Sequence, residues 1–458
     1  MFTYEYGSVK RFFAATETSI YDVTTVINPQ TVVTATELTG QRAGQWSTVT
    51  VSNAGGNVLV AVNGQDEPQH FNGSAWSVDP KLTAPGYVLN PSTLSHVWLW
   101  KNRLLFIEGG SMRAWYLGVD EIGGELKQIN LGGVFDRGGA LYFGATVSFS
   151  ANDAMAEMCV FVSTKGECAV YRGTDPGDAD AWSLVGVYDI GLPLGRKAHL
   201  RDAGDLVIAT ELGLIRLSSA MAVDKAALTI SAISGPIEPD WRNETSFRKP
   251  GIEWACVKWD RQGYALITRP TYDGSVPYCL VVNLTTGAWS KYVGWDGQTV
   301  VEFDRWVYFG TTDGRIMRAE LGGTDDGQPY LATAIFQYDH IKKPGVFKVA
   351  KLARLTFLAG IPFNVKPTIS VDYVQKIEPY PAAATDIRPI GWDLSLWDDG
   401  EWDEVPNGID QISTRWVGVY GAGFALGPGL QVTCNSVNTP DAELISYELM
   451  YEEGGIVV

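Results

Sequence analysis

The 458-residue sequence predicts an all-β protein: a β-propeller of about seven degenerate repeats over residues 1–325, then a β-sandwich-like domain over 326–458. Three observations carry this expectation. The 50 glycines, 16 tryptophans and 20 tyrosines suit short strands joined by tight turns and serve long amphipathic helices poorly. A short apolar strand, a turn and a second apolar or aromatic strand recur along most of the chain. That rhythm stops near residue 325, where longer alternating strands begin.

The recurring units are "FFAATETSIYDV" from Phe12, "VLVAVNGQDEPQHF" from Val58, "RLLFIEGGSMRAWYL" from Arg103, "CVFVSTKGECAVY" from Cys159, "DLVIATELGLIRL" from Asp205, "YALITRPTYDGSVPYCLVVNL" from Tyr264 and "RWVYFGTTDGRIMRA" from Arg305. Their first-strand centres are separated by about 46, 46, 55, 47, 58 and 42 residues, close to the pitch of propeller blades, with six or eight units as alternatives. One hairpin cannot cover a core, whereas radial packing buries both faces of each sheet between neighbours. The first unit starts about ten residues into the chain, so its outer strands are expected from elsewhere. In the turns "TKGE" (164–167) and "TDGR" (312–315), Gly stands where a hairpin needs positive φ, and Asp313-Gly314 reads as a type I′ pair. Between hairpins, "FNGSAWS", "ADAWSLVG" and "TTGAWSKYVGW" repeat Ala-Trp-Ser, so Trp182 and Trp289 are expected to pack between sheets with indole N–H groups near backbone carbonyls. Little helix is expected, with "SANDAMAEMC" (150–159) contributing at most a turn.

Beyond residue 325, "VAKLARLTFLAG", "KPTISVDYV", "STRWVGVYGAGFALGPGLQVTCNSV" and "AELISYELMYEEGG" alternate as longer antiparallel strands. "GWDLSLWDDGEWDE" (391–404) repeats Trp-Asp. Trp397 and Trp402 flank a turn carrying Asp398 and Asp399, and aromatic packing with Trp392 explains the beat better than a metal site or catalysis.

A net charge of −17 argues against a protein that grips a nucleic-acid backbone, yet an acidic channel would let DNA slide. The five cysteines (159, 168, 256, 279 and 434) form no CxxC and read as free, buried thiols, although Cys159 and Cys168 flank one hairpin. Neither a secretory leader nor a membrane-spanning segment is expected. The four histidines lack the local pairing typical of zinc ligands. His199, in "GRKAHLRDAGD" beside Arg196, Lys197 and Arg201, reads as a solvated connection, with contact to an anion or partner as the alternative. Nucleotide-loop and nucleophile-elbow motifs are missing from the sequence. "GTDPGDADAW" (173–182), with Asp175, Asp178 and Asp180, misses the Ser/Thr-x-Asp-x-Gly-x-x-Trp order of sialidase turns. It and the loops "NGQDEP" and "GTDDG" read as ordinary turns rather than calcium sites. No enzyme activity, metal or cofactor is expected.

The segments "KNRLLFIEGGSMRAWYLGVDEIGGELKQINLGGVFDRGGAL" (101–141) and "MCVFVSTKGECAVYRGTDPGDADAWSLVGVYDIGLPLGRK" (158–197), with the Trp-Asp stretch and "YELMYEEGG" (447–455), resemble structural proteins of tailed bacteriophages. The likeness is to the β-propeller nozzle or hub proteins of short-tailed phages. It implies packing roles for Trp115, Tyr116, Trp182 and the Trp-Asp segment, and no catalytic residue. It further implies a virion tail protein assembled in the host cytoplasm, forming a homohexameric ring around the DNA exit channel below the portal and adaptor. DNA would pass through the lumen without sequence-specific binding, and no stable membrane insertion is implied. The acidic turns at Asp175, Asp178, Asp180, Asp398 and Asp399 would then line the channel or an interface. A glycan- or receptor-binding propeller of the virion is the alternative, followed by a cellular scaffold or a glycoside hydrolase.

Overall fold

A computed structural model describes residues 1–25, 33, 36–151, 154–246, 253–269, 275–359, 363–375, 410–413, 416–434 and 441–454. The chain divides into two compact units, Met1–Ala319 and Glu320–Val458. The division falls just before the boundary expected at 325/326.

Among the described residues of the first unit, seven antiparallel sheets of three or four strands follow one another, with strands paired in chain order. The first holds Phe2–Tyr6, Val9–Ala15, Ser19–Asp22 and Leu38–Thr39. The second holds Ser47–Asn53, Gly56–Val62, Gln69–Phe71 and Trp76–Ser77. The third holds Leu94–Trp100, Arg103–Glu108, Arg113–Val119 and Lys127–Asn130. The fourth holds Leu141–Ala151, Ala154–Ser163, Glu167–Gly173 and Trp182–Asp189. His199–Asp202, Asp205–Thr210 and Gly213–Arg216 form the fifth. Ala255–Trp259, Tyr264–Thr268, Tyr278–Asn283 and Trp289–Val293 form the sixth. Thr299–Phe303, Trp306–Gly310 and Ile316–Arg318 form the seventh. Each unit read from the sequence is the second and third strand of one sheet. Those middle strands are covered on both faces and read as apolar runs.

Side-chain alternation sends successive residues to opposite faces of a sheet, so each sheet feeds two cores. In the third, Leu104 and Phe106 face the second sheet while Leu105 and Ile107 face the fourth. The resulting clusters form a cyclic series. Phe13 meets Phe71 between sheets one and two, Val60 joins Phe106 between two and three, and Trp100 joins Phe161 between three and four. Val160 joins Ile208 between four and five, Val207 joins Ile267 between five and six, and Leu266 joins Val307 between six and seven. A last cluster of Met1, Phe12, Val23 and Phe303 joins the seventh sheet to the first, where the Phe12 and Phe303 rings stack at 5.2 Å. Neighbouring sheets meet mostly through their first strands, and Thr299–Phe303 lies beside Phe2–Tyr6. The unit is therefore all-β and β-propeller-like.

Several details depart from expectation. The first sheet is complete from its own segment, since Phe2–Tyr6 and Leu38–Thr39 flank the expected hairpin. Residues 154–159 belong to a ten-residue strand rather than a turn. Helices occur instead at Leu217–Ala222, Lys225–Ser231 and Glu238–Ser246, after the three-stranded fifth sheet. Leu217, Ala220 and Leu228 plug the core between sheets four and five, and Trp241 enters the next core, so helices cover flanks left by a missing fourth strand. At 311–315 only Gly314 takes positive φ, so Asp313-Gly314 is not a type I′ pair. Positive φ at both central residues occurs at Lys101-Asn102, Ala203-Gly204 and Asp304-Arg305, each turning the first strand of a sheet into the second.

The second unit has two sheets. Leu426–Cys434 pairs with Tyr330–Ile335 and Asn364–Val371 in one. In the other, Lys348–Ala359 pairs with Glu443–Glu453 on one edge and with Asp410–Ser413 and Val417–Gly423 on the other. Ala350, Ala353, Leu355 and Phe357 of the central strand pack onto Ile369, Leu426 and Leu430 of the first sheet, as in a sandwich. Lys348, fully buried, donates from Nζ to the carbonyls of Lys343, Val346 and Phe424 at 2.8, 2.9 and 3.2 Å.

Two measurements check this packing. Phe12→Ala should cost about 3–5 kcal/mol, and hydrogen exchange should show protection lost first in sheets one and seven; loss centred elsewhere would refute their dependence on one seam. Lys348→Met leaves three carbonyls without a donor and should destabilise the second unit by on the order of 3 kcal/mol in chemical denaturation.

Candidate functional site

The first strands of the sheets converge on a polar cluster. His96, on the first strand of sheet three, has Nε2 2.9 Å from the Gly144 carbonyl and Nδ1 3.0 Å from Ser47 Oγ. A carbonyl only accepts, so Nε2 carries the proton and Nδ1 accepts from the Ser47 hydroxyl. The Val97 amide donates to that hydroxyl at 3.1 Å, completing a chain across sheets two, three and four. Gly144 is required there because a Cβ would sit 2.5 Å from the Trp98 ring.

From the fifth sheet, the His199 ring stacks on Phe143 at 4.4 Å with an interplanar angle of 6°, and its centroid is 6.4 Å from that of His96. Just before this strand, Arg196 donates from its backbone N and from Nε to Glu253 at 3.1 Å, and from Nη2 to Gln45 Oε1 at 3.1 Å. Lys197 reaches the Met1 carbonyl at 3.4 Å, while its own carbonyl receives the Cys256 amide at 2.9 Å. Parts of all but the seventh sheet, or the segments entering them, thus meet around four basic side chains.

Burial dominates the electrostatics. It drives the His96 imidazole down to about 3, helped by His199, and His199 to about 4, helped by Arg201. It also lowers Lys197 to about 8, with Arg196 adding to the fall and Glu253 opposing it. The Ser47–His96 contact superficially matches a nucleophile and its base. The imidazole is too weakly basic for that role, and its second nitrogen faces a carbonyl rather than an orienting carboxylate. The pair instead locks the ring in place.

Trp115 and Tyr116 point into successive cores on opposite faces of sheet three. Trp115 Nε1 donates to Glu108 at 3.1 Å. Trp182 starts the outer strand of sheet four, stacking on Tyr171 at 5.0 Å and meeting Trp100 edge-on at 4.9 Å. Trp289 starts the outer strand of sheet six and donates to the Ile233 carbonyl at 3.1 Å. Asp175 pairs with Arg103 at 3.1 Å and caps its own turn through the Gly177 amide. Asp178 accepts from the Asp180 amide at 2.9 Å, and both side chains are exposed. This turn joins the third and fourth strands of sheet four, away from the convergent first strands. Trp392, Trp397, Trp402, Asp398 and Asp399 lie outside the described residues. All five cysteines are free and buried, with Cys159 and Cys168 in cores on opposite faces of sheet four.

The sequence reading missed the basic cluster by treating each histidine as a metal candidate or loop residue. His199 lies on a strand rather than in a solvated connection. The available signal was alternation: Lys197, His199 and Arg201 share one face, while Ala198 and Leu200 enter the core on the other. Among the described residues, no group of three or more His, Cys, Asp or Glu could hold a metal ion, and no helix is long and apolar enough to cross a membrane.

No protein-family profile matches the sequence, and no curated protein matches it. Among solved structures, a mercury-soaked crystal of BBS1N in complex with ARL6DN aligns with a TM-score of 0.40 and 11% identity, over 67% of this chain and 85% of that chain.

The histidine shifts fix a sign. Between the unfolded value of about 6.5 and the folded values near 3 and 4, the unfolded chain binds protons that the native state refuses, so stability falls as pH drops through that window. Melting temperature should decline from pH 7 to 4, less steeply in His96→Gln than in the native protein; parallel curves would remove His96 from the account.

Proposed function

We propose that this chain is a non-catalytic structural component of a tailed-phage virion: a seven-bladed β-propeller with a C-terminal β-sandwich-like unit, assembling as a ring of about six copies around the DNA exit channel. The observation that carries the structural reading is the cyclic series of seven inter-sheet cores, which uses the apolar faces for rigidity. Its placement in the tail, beneath portal and adaptor, follows from the sequence resemblance to nozzle and hub proteins. The net charge of −17 suits a surface past which DNA moves without being held. Buried thiols and a weakly basic His96 add no nucleophile or base to the described residues.

The glycan-binding alternative needs exposed aromatic platforms. Among the described residues of the first unit, Tyr6 is the one exposed large aromatic, at 50%, while the exposed Tyr330, Phe336, Tyr373, Trp416 and Tyr420 belong to the second unit; the indoles of the propeller-like unit serve its cores and seams. That distribution favours the structural reading.

Electron microscopy of the purified full chain, with labelled antibody on the virion, tests the proposal. Rings with a lumen wide enough for duplex DNA and labelling at the tail are expected. A protein that stays monomeric at tens of micromolar, together with unlabelled virions, would refute it.

A further inference from the structure

The helices that follow sheet five leave a cleft against it. Trp241 donates from Nε1 to the Thr210 carbonyl at 2.9 Å and lies against the rings of Trp254 and Trp289, which fixes Glu238–Ser246 on the sheet. Between this helix, Thr229 of Lys225–Ser231 and the turn at Glu211 and Leu212, a cleft of about 400 Å³ stays open to solvent, within the size range of small-molecule sites. Leu212 is held from behind, since a Cβ at Gly191 would come within 2.7 Å of its Cγ. The polar groups on the walls are unequally satisfied. Arg242 and Glu238 neutralise one another, Thr245 Oγ1 donates to the Arg242 carbonyl at 3.1 Å, and Ser246 Oγ donates to that of Asn243 at 2.6 Å. Glu211 and Thr229, both half-buried, make no side-chain hydrogen bond or ion pair among the described residues. A carboxylate drawn partly out of water without a counter-ion carries a desolvation cost, and a cation in the cleft relieves it.

We infer that this cleft binds a small organic ammonium ion, with the Glu211 carboxylate as its charged partner and Thr229 Oγ1 as acceptor for a further N–H. Leu212 and Trp241 give the short hydrocarbon body an apolar wall. A hard metal ion is the poorer fit, because one free carboxylate falls far short of the roughly six to eight oxygen ligands that calcium takes. An anion is poorer still, because Glu238 already engages the Arg242 guanidinium. The inference is independent of the tail assignment and holds or fails whether or not the protein forms a ring.

Ligand-observed NMR titration of the full chain with n-butylammonium chloride, and separately with 1-butanol as its neutral counterpart, tests it. Saturable binding of the ammonium, at least tenfold tighter than that of butanol, is expected for the native protein. The same is expected for Glu17→Gln, which removes an equal charge from an exposed position elsewhere. Glu211→Gln keeps the size of the side chain and should weaken ammonium binding at least tenfold while leaving butanol binding within twofold. Its melting temperature without ligand should stay level or rise, because a half-buried charge without a partner has gone. Thr229→Val should weaken ammonium binding several-fold. No saturable binding by the native protein, equal affinity for the ammonium and the alcohol, or unchanged ammonium binding in either folded cleft variant overturns the inference. Should Glu211→Gln fail to fold, Thr229→Val and the ammonium-to-butanol ratio of the native protein decide.

Discussion

The constraint on which the first unit depends is that none of its sheets can bury its own faces. A sheet of three or four short strands exposes apolar residues above and below, and only a neighbour on each side covers both. Six interfaces would leave two raw faces. The seventh, built from Met1, Phe12, Val23 and Phe303, removes them. Polar contacts guard the same seam: Lys10 pairs with Asp304, and the Asp304 amide donates to Glu5 at 3.1 Å. These surface contacts add little stability alone, but they set the register in which sheets one and seven meet.

Covering faces also explains where the indoles go, and it reveals a longer period. Trp76, Trp182 and Trp289 each begin the outer strand of an even-numbered sheet. Trp76 meets Phe2 and Phe13 of sheet one, Trp182 meets Trp100 of sheet three, and Trp289 meets Trp241 from the helices following sheet five. The three positions are about 106 residues apart, roughly twice the single-blade pitch. Turns with two positive-φ residues recur with a similar spacing in sheets three, five and seven, at Lys101, Ala203 and Asp304. The architecture therefore repeats as pairs of sheets, in which the even member seals the outer groove of the odd one before it. The degenerate single-blade repeat is what remains visible when two unlike sheets alternate.

This pairing explains what the sequence disclosed. Middle strands such as Leu104–Ile107 and Leu206–Ala209 are buried on both faces and form apolar runs that stand out against glycine-rich turns. First strands carry polar residues toward the convergence, as Ser47, His96 and His199 do, so their hydrophobic signal is diluted. Fourth strands are as short as two residues, as at Trp76–Ser77, and leave little pattern beyond one tryptophan. The helices were hidden for a different reason: Leu217 and Ala220 have helical spacing, but they follow directly on the strand Gly213–Arg216 and read as its continuation. The basic cluster was not legible because its members come from distant positions and meet only after the ring is formed.

Placing cations at the convergence of an acidic protein follows from the same geometry. Seven first strands approaching one another bring polar backbone and side-chain groups into little space, where carboxylates would repel each other and surrender their hydration together. Neutral imidazoles avoid that cost, and burial holds His96 neutral while it donates to a carbonyl and accepts from a hydroxyl. Arg196 avoids it by engaging Glu253 and Gln45. Lys197 keeps its charge near neutral pH, since even its lowered value of about 8 leaves it mostly protonated there, and Glu253 offsets part of the cost of its burial.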